Sequence, residues 1–280
     1  MNHTAKPRPL LDQIDWNDFE RVVILSPHLD DAALSCGGLL HALQGRVSTL
    51  VVSTCCGTPR VLAADGSRKI QLRRGHVHPQ LRRREDIAAM HSVNADFVHL
   101  SFPDGIYRRS PVTGKLIYRN ERERWTSPRI EDMAHIEELY LVLRRICLDL
   151  GSILLLSPMG IGHHVDHQIA AQVARRLASQ GATLLFYEDF PYVADARIGR
   201  GDQDGPLAAL ARQHLTPLKH FVVPVDVEGK MALLRHYASQ VPALFGDDDG
   251  MRARIVGRQY AGAASEFYWR ANAIPVSTPI

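Results

Sequence analysis

Val22-Val23-Ile24-Leu25-Ser26-Pro27-His28-Leu29-Asp30-Asp31-Ala32-Ala33-Leu34 is the stretch on which the fold turns. A β-branched apolar run stops at a proline. A histidine and two adjacent aspartates follow, and helical composition begins at once. Open α/β sheets carry their chemistry at the C-terminal ends of strands, which is where these polar residues fall. His28 and Asp31 are three apart, so on a first helical turn they point the same way. A histidine nitrogen and a carboxylate oxygen on one face suit a divalent metal. Asp30 is then free for proton transfer, unless it or Asp31 simply caps the helix.

Further strands are predicted at Val47–Ser53, Phe97–Leu100, Ile153–Ser157, Thr183–Tyr187 and His220–Val225, beside the first at Arg21–Ser26. Most are continuously apolar, as strands buried on both faces are. Helical patterns lie between them at Asp31–Leu43, Leu81–Ser92, Ile130–Leu150, Asp166–Ala178 and Glu228–Ser239. The alternation predicts an α/β, Rossmann-like, doubly wound and mostly parallel sheet with helices on both faces. We read residues 1–280 as one domain, with a core at about 21–240 and a C-terminal extension at 241–280. Two long segments, 57–80 and 103–128, break the alternation, and loops of that length are usually functional.

Bulk properties narrow the classes. The 280 residues carry a formal charge of +3, too small to argue for nucleic acid. Four cysteines in such a chain are no disulfide framework and suit a reducing compartment. Residues 1–20 hold no apolar stretch of signal-peptide length, and no run spans a bilayer. These features lead us to expect a soluble cytoplasmic protein with a small-molecule substrate, no nucleic-acid or membrane partner, and room for homo-oligomers.

The same grammar recurs at Ser157-Pro158-Met159-Gly160-Ile161-Gly162-His163-His164-Val165-Asp166-His167. His28, Asp31 and His167 would make a three-ligand site, and catalytic zinc typically keeps three protein ligands plus an open position. Two histidines and one carboxylate also suit Fe(II) or another divalent ion. His163 and His164 are adjacent, and the His-x-x-His spacing to His167 favours His164 as the functional one of the two.

The first stretch resembles the Pro-His-Pro-Asp-Asp signature of the PIG-L (LmbE-like) zinc deacetylases, and the second resembles that family's His-Pro-Asp-His motif. Leu29 and Val165 stand in place of the two prolines, and Ala32 in place of an acid; none is a ligand position. The resemblance covers roughly residues 21–240. It implies a Rossmann-like fold and hydrolysis of N-acetyl groups on amino sugars or glycoconjugates. It also implies Zn2+ held by His28, Asp31 and His167, Asp30 as general base, and His164 as oxyanion stabiliser or acid with Asp166 orienting it. Arg82-Arg83-Arg84-Glu85 and Phe102-Pro103-Asp104-Gly105 resemble two further family elements, from which Arg82 and Asp104 are implied as substrate contacts.

Glu188 and Asp189 follow the fifth strand, at the catalytic edge, and Glu188 is a candidate substrate contact; helix capping is the simpler alternative. His76 and His78 read as solvated loop residues. Cys36 reads as a packing residue, and Phe267, Tyr268 and Trp269 as core or interface. An amidase for another small amide, such as a thiol–sugar conjugate, would keep the same metal site. A non-catalytic Rossmann-type binding module wants Gly-x-Gly-x-x-Gly in the first βα turn, where this chain has His-Leu-Asp-Asp.

Overall fold

The computed structural model describes residues 6–58, 60–62, 68–70, 76–194 and 205–273. We number the strands of the main sheet in chain order: β1 (Arg8–Pro9), β2 (Arg21–Ser26), β3 (Ser48–Ser53), β4 (Asp96–His99), β5 (Ile153–Pro158), β6 (Thr183–Tyr187), β7 (Leu215–Pro224), β8 (Gln259–Tyr260) and β9 (Ala263–Ala273). Their spatial order is β1-β7-β9-β6-β5-β2-β3-β4, with β8 paired to β9. All neighbours along this path run parallel except β9, which is antiparallel to both β6 and β7. The expected doubly wound α/β sheet is present. Outside it, Arg60–Leu62 and Arg68–Ile70 form a small antiparallel pair.

Side-chain alternation on the central strands divides the core. Val22 and Ile24 of β2 join Leu154 and Leu156 of β5 on one face. Val23 and Leu25 join Ile153 and Leu155 on the other. The continuous apolar runs are therefore two half-patterns interleaved, each feeding its own layer. Helix α1 (Asp31–Leu43) and helix α2 (Pro79–Ser92) cover the first face. Helix α3 (Met133–Leu148) and helix α4 (Val165–Ala178) cover the second. None of the described helices is long and apolar enough to cross a membrane.

The tail belongs to the sheet. Strand β9 lies between β6 and β7, and Tyr268 and Trp269 are buried at 0% and 4% exposure. It also repairs α1, which breaks its helical geometry at Cys36 (φ −126°, ψ 16°). A break strands the amides beyond it, and buried amides need acceptors. The Glu266 carboxylate takes the N–H groups of Gly38 and Leu39 at 2.8 and 3.0 Å. It also binds Lys230 Nζ at 2.7 Å and Tyr268 Oη at 2.9 Å. A side chain on Gly38 would meet Val225 Cγ2 at 2.8 Å and crowd Glu266 Oε2 at 3.2 Å, so glycine eases the close approach of the carboxylate.

The site's position follows from register. In β2 and β5, Arg21 to Ile24 pair with Ile153 to Leu156. Both strands therefore deliver their Pro-His segments at the same edge. This is also where the chain's winding reverses: β3 and β4 extend the sheet on one side of β2, β5 and β6 on the other. Such switch points open a crevice at the carboxyl ends of the strands.

Candidate metal centre and catalytic cleft

The first strand–helix turn is held by its own backbone. Ser26 Oγ donates to His28 O at 2.5 Å and accepts from Ala32 N at 3.0 Å. The serine thus does the capping that either aspartate might have done. Asp31 Oδ2 accepts the His28 backbone N–H at 2.7 Å, and Asp30 makes no side-chain cap. Asp30 turns instead to Arg82, whose Nη2 lies 2.8 Å from its Oδ1. The neighbouring Arg83 reaches Thr58 Oγ1 and the Cys56 carbonyl, and Arg84 is exposed.

In the second turn, Gly160, Gly162 and His163 adopt positive φ (78°, 83° and 65°). This reversal buries His164 at 2% exposure and leaves His163 partly exposed. His164 caps α4: its Nδ1 accepts the Asp166 N–H at 3.3 Å. The proton of the neutral ring therefore sits on Nε2. Burial, and then His28, hold this imidazole well below its usual value; Asp166 opposes without prevailing.

Three donors meet at one point. Asp31 Oδ2 is 3.2 Å from His28 Nδ1 and 3.3 Å from His167 Nε2. The far nitrogen of each ring is gripped by a buried carboxylate. His167 Nδ1 is 2.6 Å from Asp189 Oδ1, and His28 Nε2 is 3.2 Å from Asp166 Oδ2. Carboxylate–histidine pairs of this kind fix the tautomer of a metal ligand and raise its basicity. His167 Nε2 is fully buried and makes no hydrogen bond among the described residues. An orphaned imidazole nitrogen facing a carboxylate and a second imidazole fits a divalent cation. Burial opposes charge on Asp31, yet His167 and His28 hold it well below the usual carboxylate range. Burial likewise opposes charge on His167, yet Asp31 and Asp189 push it up to about 9.

Two further donor sets, His28/His164/His167 and His28/Asp104/Asp166, have ligand atoms that all lie within 4.8 Å of one another. Each fits less well. His164 spends Nδ1 on a helix amide, which leaves a protonated Nε2. Asp166 spends both oxygens: Oδ2 on Gly105 N (2.9 Å) and His28, Oδ1 on Arg108 Nη1 (2.6 Å).

His28 and Asp31 open into a cleft of about 250 Å³. Asp30, Arg82, Asp104, Arg124, Trp125 and His164 also line it, together with Tyr192 and residues of the 239–244 segment. Asp104 Oδ2 is 3.7 Å from His28 Nε2, and its Oδ1 accepts from Ile106 N and Arg124 Nη1. His76 sits at the cleft wall against Glu121, while His78 caps α2. Asp166 was expected to orient His164, but His28 is its nearer imidazole, at 3.2 Å against 3.9 Å. Glu188 does not line the cleft. Its carboxylate accepts from Trp269 Nε1 at 2.8 Å and from Arg258, on the far side of the chain from Asp189. Adjacent residues in extended chain point opposite ways, so of this acidic pair only Asp189 reaches the site. Asp189, Arg108 and Trp125 had no motif to mark them. The acidic pair after β6 and the basic run at 119–124 were the available signals.

A family model described as GlcNAc-PI de-N-acetylase (PIG-L) matches residues 23–178. The chain is 31% identical over 242 residues to a 2'-N-acetylparomamine deacetylase of Streptomyces fradiae, covering 84% of this chain and 77% of that protein. A 2'-N-acetylparomamine deacetylase of Niallia circulans is 29% identical over 250 residues, covering 82% and 84% respectively. Among solved structures, the zinc-inhibited form of a teicoplanin deacetylase superposes with a TM-score of 0.72 at 26% identity, over 92% of this chain and all of that one.

Proposed function

The chain belongs to the PIG-L family of amide-hydrolysing deacetylases, and from that premise we propose that it removes the N-acetyl group from an amino sugar of an aminoglycoside- or glycopeptide-type conjugate. The observation that carries this reading is the convergence of His28 Nδ1 and the orphaned His167 Nε2 on Asp31 Oδ2, with His28 and Asp31 lining the cleft. These three residues hold a zinc ion in the proposal. When bound, the ion supplies Lewis-acid polarisation of the amide carbonyl and acidifies a water molecule.

The remaining steps fall to this chain's own side chains. Asp30 borders the donor set without joining it, and takes the proton of the attacking water. Arg82, 2.8 Å from Asp30 Oδ1, keeps that carboxylate in the cleft and leaves Oδ2 for the water. His164, neutral and protonated on Nε2, donates a hydrogen bond to the carbonyl oxygen as it becomes negative. A neutral imidazole has no spare proton, so Asp30 returns the one it took to the departing amine. Asp104 and Arg124 line the same cleft and are proposed to contact the sugar, whereas Glu188 turns to Trp269 and Arg258.

The test is acetate release from 2'-N-acetylparomamine and from glycopeptides carrying N-acetylated sugars. The expected result is turnover of at least one class, lost in His28→Ala and His167→Ala together with bound metal. Asp30→Asn should keep its metal and lose ~10²–10⁴ in kcat. Full activity in the histidine variants would refute the metal reading, and full activity in Asp30→Asn the assignment of the base.

A further inference from the structure

Arg108 lies in the long segment between β4 and α3, outside both motifs, yet it is only 2% exposed. Its guanidinium bridges two buried carboxylates, with Nε 2.6 Å from Asp132 Oδ1 and Nη1 2.6 Å from Asp166 Oδ1. Both aspartates are fully buried. Asp132 is held from its other side, where Oδ2 accepts from Tyr118 Oη at 2.5 Å and from Arg129 N at 2.8 Å. The Arg108 backbone is pinned as well, with Ile117 N donating to its carbonyl at 2.9 Å. Arg108 is thus a rigid strut between the folded insert and Asp166.

We propose that Arg108 is a positioning residue for the metal centre: by clamping Asp166 Oδ1 it aims Asp166 Oδ2 at His28 Nε2, and so presents His28 Nδ1 to the ion. The inference rests on the donor set assigned above. Three features carry it. Asp166 has no solvent to orient it, so its rotamer is set by its partners. Those partners divide the carboxylate cleanly, Arg108 taking Oδ1 while Gly105 N and His28 take Oδ2. And a planar guanidinium with two donors in fixed geometry locks an angle, which a single ammonium does not. A side chain on Gly105 would meet Val165 Cγ1 at 2.9 Å, which shows how closely this part of the insert packs against the start of α4.

The experiment is a zinc titration of the full-length apoprotein against a chromophoric chelator, with thermal melts of the same samples. Arg108→Lys keeps a positive charge between the two aspartates but loses the two-pronged grip. Its zinc affinity is expected to fall ~10–100-fold, the usual cost of disturbing a group behind a metal ligand. Asp166→Asn should fall comparably, and the double variant no further than Asp166→Asn alone, because Arg108 acts through Asp166. Wild-type affinity in Arg108→Lys, or losses that simply multiply, would overturn the proposal, whatever happens to the melting temperature. Should Arg108→Lys not fold, Tyr118→Phe and Asp132→Asn carry the test from the far end. Each loosens Arg108 without touching Asp166, and unchanged zinc affinity in both refutes the strut. His28→Ala is the control for the reading beneath it. If that variant still binds zinc like wild type, the donor set is at fault; if it does not while every clamp variant does, only the role of Arg108 fails.

Discussion

His167 Nδ1 and Asp189 Oδ1 lie 2.6 Å apart, both residues essentially without solvent. Asp189 Oδ2 also accepts the Ile161 N–H at 2.9 Å, which ties the loop before His164 to the same carboxylate. This pairing turns His167 Nε2 toward Asp31, 3.3 Å from its Oδ2. Asp189→Asn is therefore expected to lower zinc affinity ~10–100-fold with little change in secondary structure. Metal content after dialysis against a chelator series, with circular dichroism alongside, checks it.

Asp31 and His164 compete for the third ligand position, and metal analysis separates them. Asp31→Ala should lose the ion along with activity. His164→Ala should retain it while kcat falls ~10²–10³, the cost of removing one donor to a developing oxyanion. A metal-free His164→Ala protein would instead favour the three-histidine set.

Glu266 is 228 residues from Gly38 yet closes the break in α1, and it neutralises the buried Lys230. Glu266→Ala removes the acceptor for two buried amides and leaves a lysine unpaired. Breaking a buried ion pair from one side typically costs about 3–5 kcal/mol. A urea titration should show that loss at pH 7; a change below ~1 kcal/mol would contradict the assigned role.

His135 is 9% exposed, sits edge-on to Phe102, and has an unpartnered Nε2 among the described residues. Burial, and then the charge of Arg108, push it down to about 4. The unfolded chain takes up a proton near pH 6.5, while the native ring stays neutral until about pH 4. Stability from this residue is thus complete above pH 6.5 and declines as pH falls toward 4. At pH 5 the loss is about 2 kcal/mol. Denaturation at pH 7 and pH 5 should show a smaller pH difference in His135→Leu than in wild type.

Much of the site was legible because it is local. His28, Asp30 and Asp31 share one strand–helix turn, and His164, Asp166 and His167 share another, so spacing alone shows which side chains keep company. Arg82 is preferred among three arginines for its spacing to Glu85 in the motif, and in the structure it is the one that pairs with Asp30 in the cleft, while Glu85 turns to Ser239. Glu188 illustrates the limit. Whether an acid after β6 faces the cleft depends on strand register and on Trp269, a residue 81 positions away. The role of Asp166 has the same character. Its neighbour in sequence is His164, but packing brings it nearer to His28, 138 residues distant.

The sequence by itself determined the doubly wound sheet and which histidines and aspartates gather at its edge. Continuous apolar runs can be buried only on both faces, and two Pro-His segments at strand ends can converge only at one sheet edge. Tertiary structure alone decided how those donors are held. Asp189 behind His167, Arg108 across 58 residues to Asp166, and Glu266 across α1 all join groups that no periodicity links. The physical reason is common to the three. A buried charge or amide must find a partner, but which partner it finds is set by how loops and strands pack, not by spacing along the chain.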